Sequence, residues 1–321
     1  MDIPDTHFLL DYVRPDLLLL RVVARSLILW DAVLANDEWI EAQIPSVVKD
    51  SYSILGQQVG PSLTSLTGIE PMQVDVNLSG AKDTDENKKI PEADVETGNA
   101  KVETAERNVD RQAIRQIHAH LVAGACFSLG LRYAGTGDQK AARTLMRRIQ
   151  VFQSMRDGHD PIMIARRPEK LLLEMCLSCS AISLALVMAG TGDVDALRLF
   201  RELRWKCNGD TRFGSHMAFG AAIGLLFLSG GTCTFGRGHE DIAALVMAFF
   251  PRYPIVTSDN QYHLQALRHF YVLAVKRREI EVIDVDTRDP IYIPIEVRTV
   301  FLLMSILLIC LCPNHSLYVR F

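Results

Sequence analysis

The chain has 321 residues, of which 49% are hydrophobic, 22% charged and 7% aromatic, and its formal net charge is -4. That length supplies a sizeable core in one large or two modest domains. The nearly balanced charge excludes a strongly basic surface, so we predict no nucleic-acid partner. The first residues lack the basic-then-apolar pattern of a secretory signal. The seven cysteines therefore indicate reduced thiols.

An apolar run at residues 17–30 is interrupted only by Arg21, Arg25 and Ser26. It follows a proline and an aspartate at positions 15 and 16, a combination typical of a helix start. The run is too short to cross a bilayer, which takes ~20 apolar residues. We predict a largely buried helix here and a shorter helix over residues 37–43, before Pro45.

Residues 70–110 carry eleven acidic and five basic side chains, scattered among Gly, Pro, Asn and Thr, with no aromatic residue. Such a composition buries too little apolar surface to offset the entropy of ordering the chain. We predict a disordered acidic insertion over residues 71–110, with order resuming at Arg111.

An internal repeat follows this insertion. Residues 123–138 (AGACFSLGLRYAGTGD) match residues 178–193 (SCSAISLALVMAGTGD) fifty-five positions later, and a looser copy at 222–231 follows after a further thirty-nine. Each copy predicts a helix of small and apolar residues that ends at a glycine with positive φ. In the first two copies an aspartate then caps an amphipathic second helix, over residues 139–151 and 194–205. The predicted structural turn residues are Gly135, Thr136, Gly137, Asp138, Gly190, Thr191, Gly192, Asp193, Gly230 and Gly231.

Glycines also lie inside the predicted repeat helices, at positions 124, 130, 220 and 224. Each costs a helix ~1 kcal/mol relative to alanine, a cost that is offset where another backbone comes close. We therefore predict a mainly α fold of stacked helical hairpins over residues 111–277. Further helices are predicted over residues 241–250 and 261–276.

The pattern changes after residue 277. Residues 279–286 are rich in Ile and Val, and residues 291–297 alternate as a strand does. We predict a short β element near the C-terminus, over residues 278–297, as the start of a β-containing domain. The tail at 298–321 holds a thirteen-residue apolar run, shorter than a bilayer span, so no membrane association is predicted.

The candidate chemical motifs are incomplete. The Gly-Thr-Gly-Asp turns lack the Lys-Ser/Thr pair of a phosphate-binding loop and follow a helix instead of a strand. Cys176 and Cys179 have the spacing of zinc ligands but no second pair. The histidines lack a recognisable nucleophile partner. We nominate no catalytic, cofactor-binding or metal-binding residue, and we expect no cofactor.

The repeat resembles the proteasome/cyclosome repeat. Three stretches are similar to the family of the large scaffold subunit of the anaphase-promoting complex, subunit 1: residues 3–31, 216–231 and 258–287, the last beginning SDNQYHLQALRH. The resemblance covers residues 1–70, as the helical start of the repeat region, and 111–297. It implies that Met1 corresponds to an interior position of the family pattern and that residues 298–321 lie outside it.

The resemblance to this family implies part of a closed α-toroid in a multisubunit cullin–RING ubiquitin ligase of mitosis. It implies a non-catalytic scaffold, not an enzyme, that organises subunits for ubiquitination of cell-cycle regulators at the metaphase–anaphase transition and mitotic exit. The implied partners are the cullin–RING module, the tetratricopeptide subunits and the Doc-type co-receptor, in the nucleus and cytoplasm. The alternative is a scaffold subunit of the proteasome regulatory particle, which shares the repeat.

Overall fold

The structure, a computed structural model, describes residues 14–57, 97–207, 213–254, 263–278, 281–284 and 317–320. The fold is mainly α, with short strands near the C-terminus, as predicted. The α-helices are α1 Pro15–Ile28, α2 Asp37–Ala42, α3 Ser46–Gln57, α4 Thr97–Arg132, α5 Gln139–Asp157, α6 Pro161–Arg166, α7 Lys170–Val187, α8 Val194–Trp205, α9 Phe213–Leu226 and α10 His239–Phe249. The 3₁₀-helices are Trp30–Ala32, Leu228–Gly231 and His263–Ala274, and the strands are β1 Cys233–Phe235, β2 Val275–Arg277, β3 Glu281–Asp284 and β4 Leu317–Arg320.

The first helices follow the sequence signals closely. In α1 a proline occupies the first turn, and the helix buries one face containing Leu19 and Val22. The N-cap of α2 is Asn36, whose side chain accepts a hydrogen bond from the Trp39 backbone. An N-cap of this kind satisfies one of the backbone donors left free at a helix start. The predicted helices at 17–30 and 37–43 are confirmed.

The start of α4 differs from the prediction. This helix begins at Thr97, so residues 97–110 of the segment predicted to be disordered are helical, although their composition is polar. Alanine, glutamate, lysine and arginine recur in this stretch and extend an existing helix at little cost, since nucleation is the expensive step. Residues 71–96 of the predicted insertion lie outside the described residues.

The chain divides into two compact units, the first comprising residues 1–129 and 144–180 and the second residues 130–143 and 181–321. In the first unit, a Cβ added at Gly124 of α4 would lie 2.8 Å from the backbone oxygen of Leu19 in α1. The two helix backbones approach closely because this glycine lacks a side chain. The predicted role of Gly124 is confirmed.

An ion-pair cluster joins α5 to α2 in the same unit. Arg148 donates to Asp37 at 3.0 Å and to Glu41 at 2.8 Å, and its side chain is 16% exposed. Arg147 pairs with the other oxygen of Asp37 at 2.6 Å. Charge-assisted pairs that share a carboxylate and are partly shielded from water fix the position of α2 better than isolated surface pairs do.

In the second unit, Gly130 of α4 lies against α7. A Cβ at Gly130 would lie 2.7 Å from both Cα and Cβ of Ser183, so this position also needs glycine. The predicted close approach is not found at Gly220 and Gly224 of α9, because no residue that the structure describes lies within 4 Å of a Cβ at either. Glycine at these two positions permits no close approach to any residue that the structure describes.

Two small antiparallel sheets complete the second unit. Strands β1 and β2 pair in the register Cys233 with Arg277 and Phe235 with Val275, and β3 pairs with β4. The helix predicted over 261–276 is a 3₁₀-helix over His263–Ala274 followed directly by β2. Strand β3 lies inside the predicted β element, whereas residues 291–297 and the apolar run at 300–312 lie outside the described residues.

Two described segments are long and apolar enough to cross a membrane by length and composition alone: Lys170–Val187 and Phe213–Gly231. In the most apolar 18-residue window of each segment, 83% of the first and 39% of the second is buried within the protein. Burial at the level of Lys170–Val187 is typical of a helix in a protein core, where hydrophobic residues line all sides.

Candidate functional site: the glycine turns of the repeat

The turns between the paired helices of the first two copies adopt the same backbone. Gly135 and Gly137 have φ values of 69° and 64°, and Gly190 and Gly192 have values of 71° and 64°. These values lie in the left-handed region, which glycine enters without the clash of a Cβ. The predicted positive φ after each repeat helix is confirmed, and a second left-handed glycine follows it.

Polar side chains close the first turn. The Thr136 hydroxyl donates to the Tyr133 carbonyl at 2.7 Å and accepts from the Asp138 backbone at 3.2 Å. Asp138 Oδ1 then accepts from the backbone of Lys140 and Ala141, at 2.9 and 2.8 Å. Asp138 is therefore the N-cap of α5, as the sequence predicts.

The second turn repeats both threonine bonds and one of the two aspartate bonds. The Thr191 hydroxyl donates to the Met188 carbonyl at 2.8 Å and accepts from the Asp193 backbone at 3.3 Å. Asp193 caps α8 by accepting from the Ala196 backbone at 2.8 Å. Since these polar groups are used within the turn itself, threonine and aspartate here are structural residues.

Each turn also bonds to the end of the next repeat helix. Both left-handed glycines of a turn donate their backbone N–H groups to carbonyls near the C-terminus of that helix, where no intrahelical donor remains. These bonds are Gly135 to Leu186 at 2.8 Å, Gly137 to Val187 at 2.9 Å, Gly190 to Leu225 at 3.0 Å and Gly192 to Leu226 at 3.0 Å. We call this set of four bonds the turn ladder. It links three successive copies through backbone atoms.

The third copy departs from the predicted turn. Gly230 and Gly231 have positive φ values of 61° and 87°, but the glycine that bonds to the next element is Gly236, which donates to the Ala274 carbonyl at 2.8 Å. The N-cap of the following helix is Gly238. The 3₁₀-helix Leu228–Gly231 and strand β1 are inserted between the end of α9 and this bonding position. A short match of glycines cannot reveal such an insertion.

Strand β1 covers the first glycine of each turn. A Cβ at Gly135 would lie 2.5 Å from the Phe235 carbonyl oxygen, and a Cβ at Gly190 would overlap the Cys233 carbonyl oxygen. Thr234 strengthens this contact by donating from its hydroxyl to the Gly135 carbonyl at 2.8 Å. The first glycine of each of these two turns is therefore required for two reasons. It adopts a positive φ, and its missing side chain leaves room for strand β1.

Arg278, which directly follows β2, bonds both to the end of the second repeat helix and to the residue before β1. Its Nη2 donates to the Ala189 carbonyl at 2.9 Å, and its backbone N–H donates to the Thr232 carbonyl at 3.0 Å. Sequence analysis missed both β1 and Arg278, because neither belongs to the repeated pattern. The only signal was the change of pattern after residue 277.

The buried histidine and tyrosine of the first unit form a stacked pair. The rings of Tyr52 and His118 are 3.6 Å apart and inclined by 5°. Burial, together with the charges of Arg148 and Arg166, lowers the pKa of His118 to about 3. Burial raises the pKa of Tyr52. Both groups are neutral near pH 7, and their contact is a packing contact.

The cysteines with zinc-like spacing also pack in this unit. Cys176 and Cys179 are buried, and their Sγ atoms lie 3.5 and 3.6 Å from the carbonyls of Ala119 and Ala123 in α4. Burial raises the pKa of Cys176, and it raises the pKa of Cys126 to about 11. Thiols of this kind are poor nucleophiles. Within the described ranges, no cluster of three or more His, Cys, Asp or Glu side chains could hold a metal ion.

A family model described as the APC1 fifth domain matches residues 1–276. The chain belongs to this family. Among curated APC1-family proteins, "Anaphase-promoting complex subunit 1" of Homo sapiens is 37% identical over 92% of this chain and 13% of its own length. The protein of the same name from Arabidopsis thaliana is 37% identical over 92% of this chain and 16% of its own. "Negative regulator of mitosis" of Emericella nidulans is 35% identical over 92% and 12%.

This chain therefore spans 12% to 16% of the length of these three relatives. The matched residues include the turn ladder, β1 and β2 up to residue 276. The names of these relatives refer to the anaphase-promoting complex and to mitosis, and the family match does not favour the alternative of a proteasome subunit.

Proposed function

We propose that this chain acts as a non-catalytic scaffold within the anaphase-promoting complex. In this role it organises the subunits of the complex for ubiquitination of cell-cycle regulators. The observation that carries the proposal is the turn ladder, in which the backbone of each turn bonds to the next copy of the repeat. Bonds of this type do not depend on side chains that could be used for chemistry. They suit a protein whose task is to hold other proteins in fixed positions.

The polar residues of the turns support the same conclusion. Thr136 and Asp138 satisfy backbone groups of their own turn, and Thr191 and Asp193 do the same. A catalytic group must direct its polar atoms toward a substrate, together with an oriented partner. The two threonine hydroxyls and Oδ1 of each aspartate are committed to the fold.

The names of the relatives supply the biological setting. Proteins named anaphase-promoting complex subunit 1 are 37% identical to this chain over 92% of its length. We propose the same partners that the repeat resemblance implies: the cullin–RING module, the tetratricopeptide subunits and the Doc-type co-receptor. We also propose that the protein works in the nucleus and the cytoplasm.

The test is an affinity purification of the complete tagged protein from dividing cells, with the bound proteins quantified by mass spectrometry. We expect cullin, RING and tetratricopeptide subunits in constant proportion to the tagged chain. Gly190→Val, which would overlap β1, should reduce that proportion more than Gly192→Ala does. Both changes put a side chain at a left-handed φ, but among the described residues a Cβ at Gly192 meets the Phe227 ring at 3.5 Å and no part of β1. Recovery of proteasome subunits, or unchanged binding by Gly190→Val, would contradict the proposal.

The non-catalytic part is tested separately by ubiquitin charging. The purified complex is incubated with activating and conjugating enzymes, and the tagged chain is examined for ubiquitin that a reducing agent releases. We expect none on Cys126, Cys176 and Cys179, because a transferring cysteine must be an accessible thiolate and these three are buried. Cys207 and Cys233 are only partly buried, and the scaffold proposal predicts that they also stay uncharged. A thioester-linked adduct on this chain would show that it takes part in the chemistry.

A further inference from the structure

Helix α8 presents one row of exposed side chains to the solvent. The row consists of Val194, Arg198, Arg201 and Trp205. Their spacings are four, three and four residues, which places them on one face of the helix. All four side chains are exposed, Val194 by 56% and Trp205 by 87%. We call these four residues the α8 stripe.

The α8 stripe is apolar at both ends and positively charged between them. A helix rises about 1.5 Å per residue, so the row from Val194 to Trp205 is ~16 Å long. Arg198 pairs with Asp195 at 3.2 Å, but the two side chains are 76% and 77% exposed. Because an ion pair this exposed contributes little stability, Arg198 can exchange Asp195 for a carboxylate from outside the chain.

The first copy of the repeat shows that packing does not require the apolar ends of the stripe. Helix α5 precedes α8 by one repeat of fifty-five residues, so Gln139 and Gln150 are equivalent to Val194 and Trp205. Both glutamines are exposed, and an alanine and a larger apolar residue are buried at equivalent positions of the two helices. Since the same element packs with glutamine at these two surface positions, folding does not account for the valine and the tryptophan of α8.

The composition of the α8 stripe is that of a protein-binding surface. Tryptophan and arginine are enriched among the interface residues that carry most of the binding energy, and a covered aromatic side chain buries about 150–250 Å². Arginine pairs best with carboxylate oxygens, with which it forms two parallel hydrogen bonds. The complementary ligand therefore carries an apolar side chain at each end and carboxylates between them.

The dimensions of the α8 stripe favour a short peptide segment over a nucleic acid. An extended peptide advances about 3.3 Å per residue, so about five residues match the length of the stripe. Nucleic-acid binders neutralise many phosphates with a broad basic surface, whereas the stripe offers two arginines in a chain whose net charge is -4. An acidic peptide segment fits both the length and the charge.

We propose that the α8 stripe docks a short acidic segment of a partner protein. One apolar side chain of that segment packs on Trp205 and a second packs on Val194, while carboxylates between them pair with Arg198 and Arg201. The proposal does not rest on the scaffold function, because it concerns the chemistry of one surface. The purification with Gly190→Val, which leaves the stripe residues unchanged, tests the scaffold function separately.

The first test uses the fluorescence of Trp205 in the complete chain. The chain has three tryptophans, and subtracting the spectrum of the Trp205→Phe variant isolates the emission of Trp205. We expect the red-shifted emission of an indole in water, and a shift to the blue when the peptide Leu-Glu-Glu-Asp-Leu, blocked at both ends, is added. A blue emission before the peptide is added would show that Trp205 is already covered and would overturn the proposal. An emission that the peptide does not change would also overturn it.

The second test measures the affinity of the same peptide, carrying a fluorescent label, by anisotropy. Trp205→Gln copies the first repeat and should weaken binding at least about tenfold, whereas Trp205→Phe should retain much of the affinity. Arg198→Gln/Arg201→Gln should weaken binding about five- to tenfold at low salt and less at high salt, since exposed ion pairs are screened. Arg143→Gln is the matched control, because Arg143 is the exposed α5 equivalent of Arg198 in a row that ends in glutamine on both sides. It should leave the affinity nearly unchanged.

Controls on the peptide and on the fold complete the test. The neutral peptide Leu-Gln-Gln-Asn-Leu should not bind, and equal binding of the two peptides would contradict the role of the arginines. A single-stranded oligothymidylate that binds more tightly than the acidic peptide, and loses affinity only in the arginine variant, would assign the stripe to a nucleic acid instead. Trp205→Gln should keep the circular dichroism spectrum of the unmodified chain. A loss of helix in this variant would overturn the proposal, because it would show that Trp205 serves the fold.

Discussion

Replacing Gly130 by alanine tests the close approach of α4 and α7. The added methyl group would lie 2.7 Å from Cα and Cβ of Ser183 and 3.0 Å from its carbonyl oxygen. Two of these three atoms belong to the backbone, so a simple rotamer change cannot relieve the contact. An overpacked site of this kind costs ~1–3 kcal/mol. Alanine gains ~1 kcal/mol over glycine in helix propensity, so the net loss is up to about 2 kcal/mol.

Gly224 supplies a matched control at the equivalent position of the third copy. The repeat spacings align Gly130, Ala185 and Gly224, and nothing described lies within 4 Å of a Cβ at Gly224. The same change there should therefore show only the propensity gain and stabilise the protein by about 0.5–1 kcal/mol. Both residues belong to the second unit, so the two variants report on the same part of the chain.

The assay is urea unfolding of the complete chain, followed by circular dichroism at a helix wavelength. The two variants should shift the midpoint in opposite directions, with Gly130→Leu shifting it further than Gly130→Ala. If Gly130→Ala stabilises the chain as much as Gly224→Ala does, then α4 and α7 are not in close backbone contact, and the reasoning from the Ser183 distances is refuted.

Three further predictions follow from single sites. Gly190→Ala should destabilise more than Gly192→Ala in thermal melts, by ~1–3 kcal/mol, because both lose a left-handed glycine but only the first overlaps strand β1; equal losses would show that β1 does not lie over the turn. Burial lowers the pKa of His118 to about 3, so the unfolded chain binds the extra proton between pH 6.5 and 3, and stability should fall as pH falls through that range, by up to about 1.4 kcal/mol per unit. His118→Gln should flatten that slope, and an unaltered slope would assign it to other groups. Arg268 donates to three backbone carbonyls at the end of α10, at 2.9, 2.8 and 2.6 Å, so Arg268→Lys should lower the unfolding free energy by ~1–3 kcal/mol, which a neutral effect in urea unfolding would contradict.

The turns could be predicted from the sequence because their chemistry is local. Glycine enters the left-handed region, and aspartate accepts from backbone groups two and three residues later, whatever surrounds them. The pattern from Gly135 to Asp138 therefore had one physical interpretation, and its exact recurrence at Gly190 to Asp193 showed two copies of one unit. The bonds at both turns agree with that prediction.

The third turn could not be predicted in the same way. Gly230 and Gly231 have the composition and positive φ of a repeat turn, yet Gly236 makes the bond to the next element. The difference arises from the inserted strand β1, whose only pairing partner, among the described residues, is β2 about forty residues later. Strand pairing at that separation depends on tertiary contacts that no short window of sequence contains.

The glycines inside helices show most clearly what the sequence determines and what depends on the tertiary structure. The sequence by itself determined where glycine weakens a helix, and so where a reason for glycine was needed. Only the tertiary structure decided that the reason is a neighbouring backbone at Gly124 and Gly130, whereas no described residue lies close to Gly220 or Gly224. The physical cause is that a missing side chain permits a close approach but cannot create one, since the approach depends on where the next helix lies.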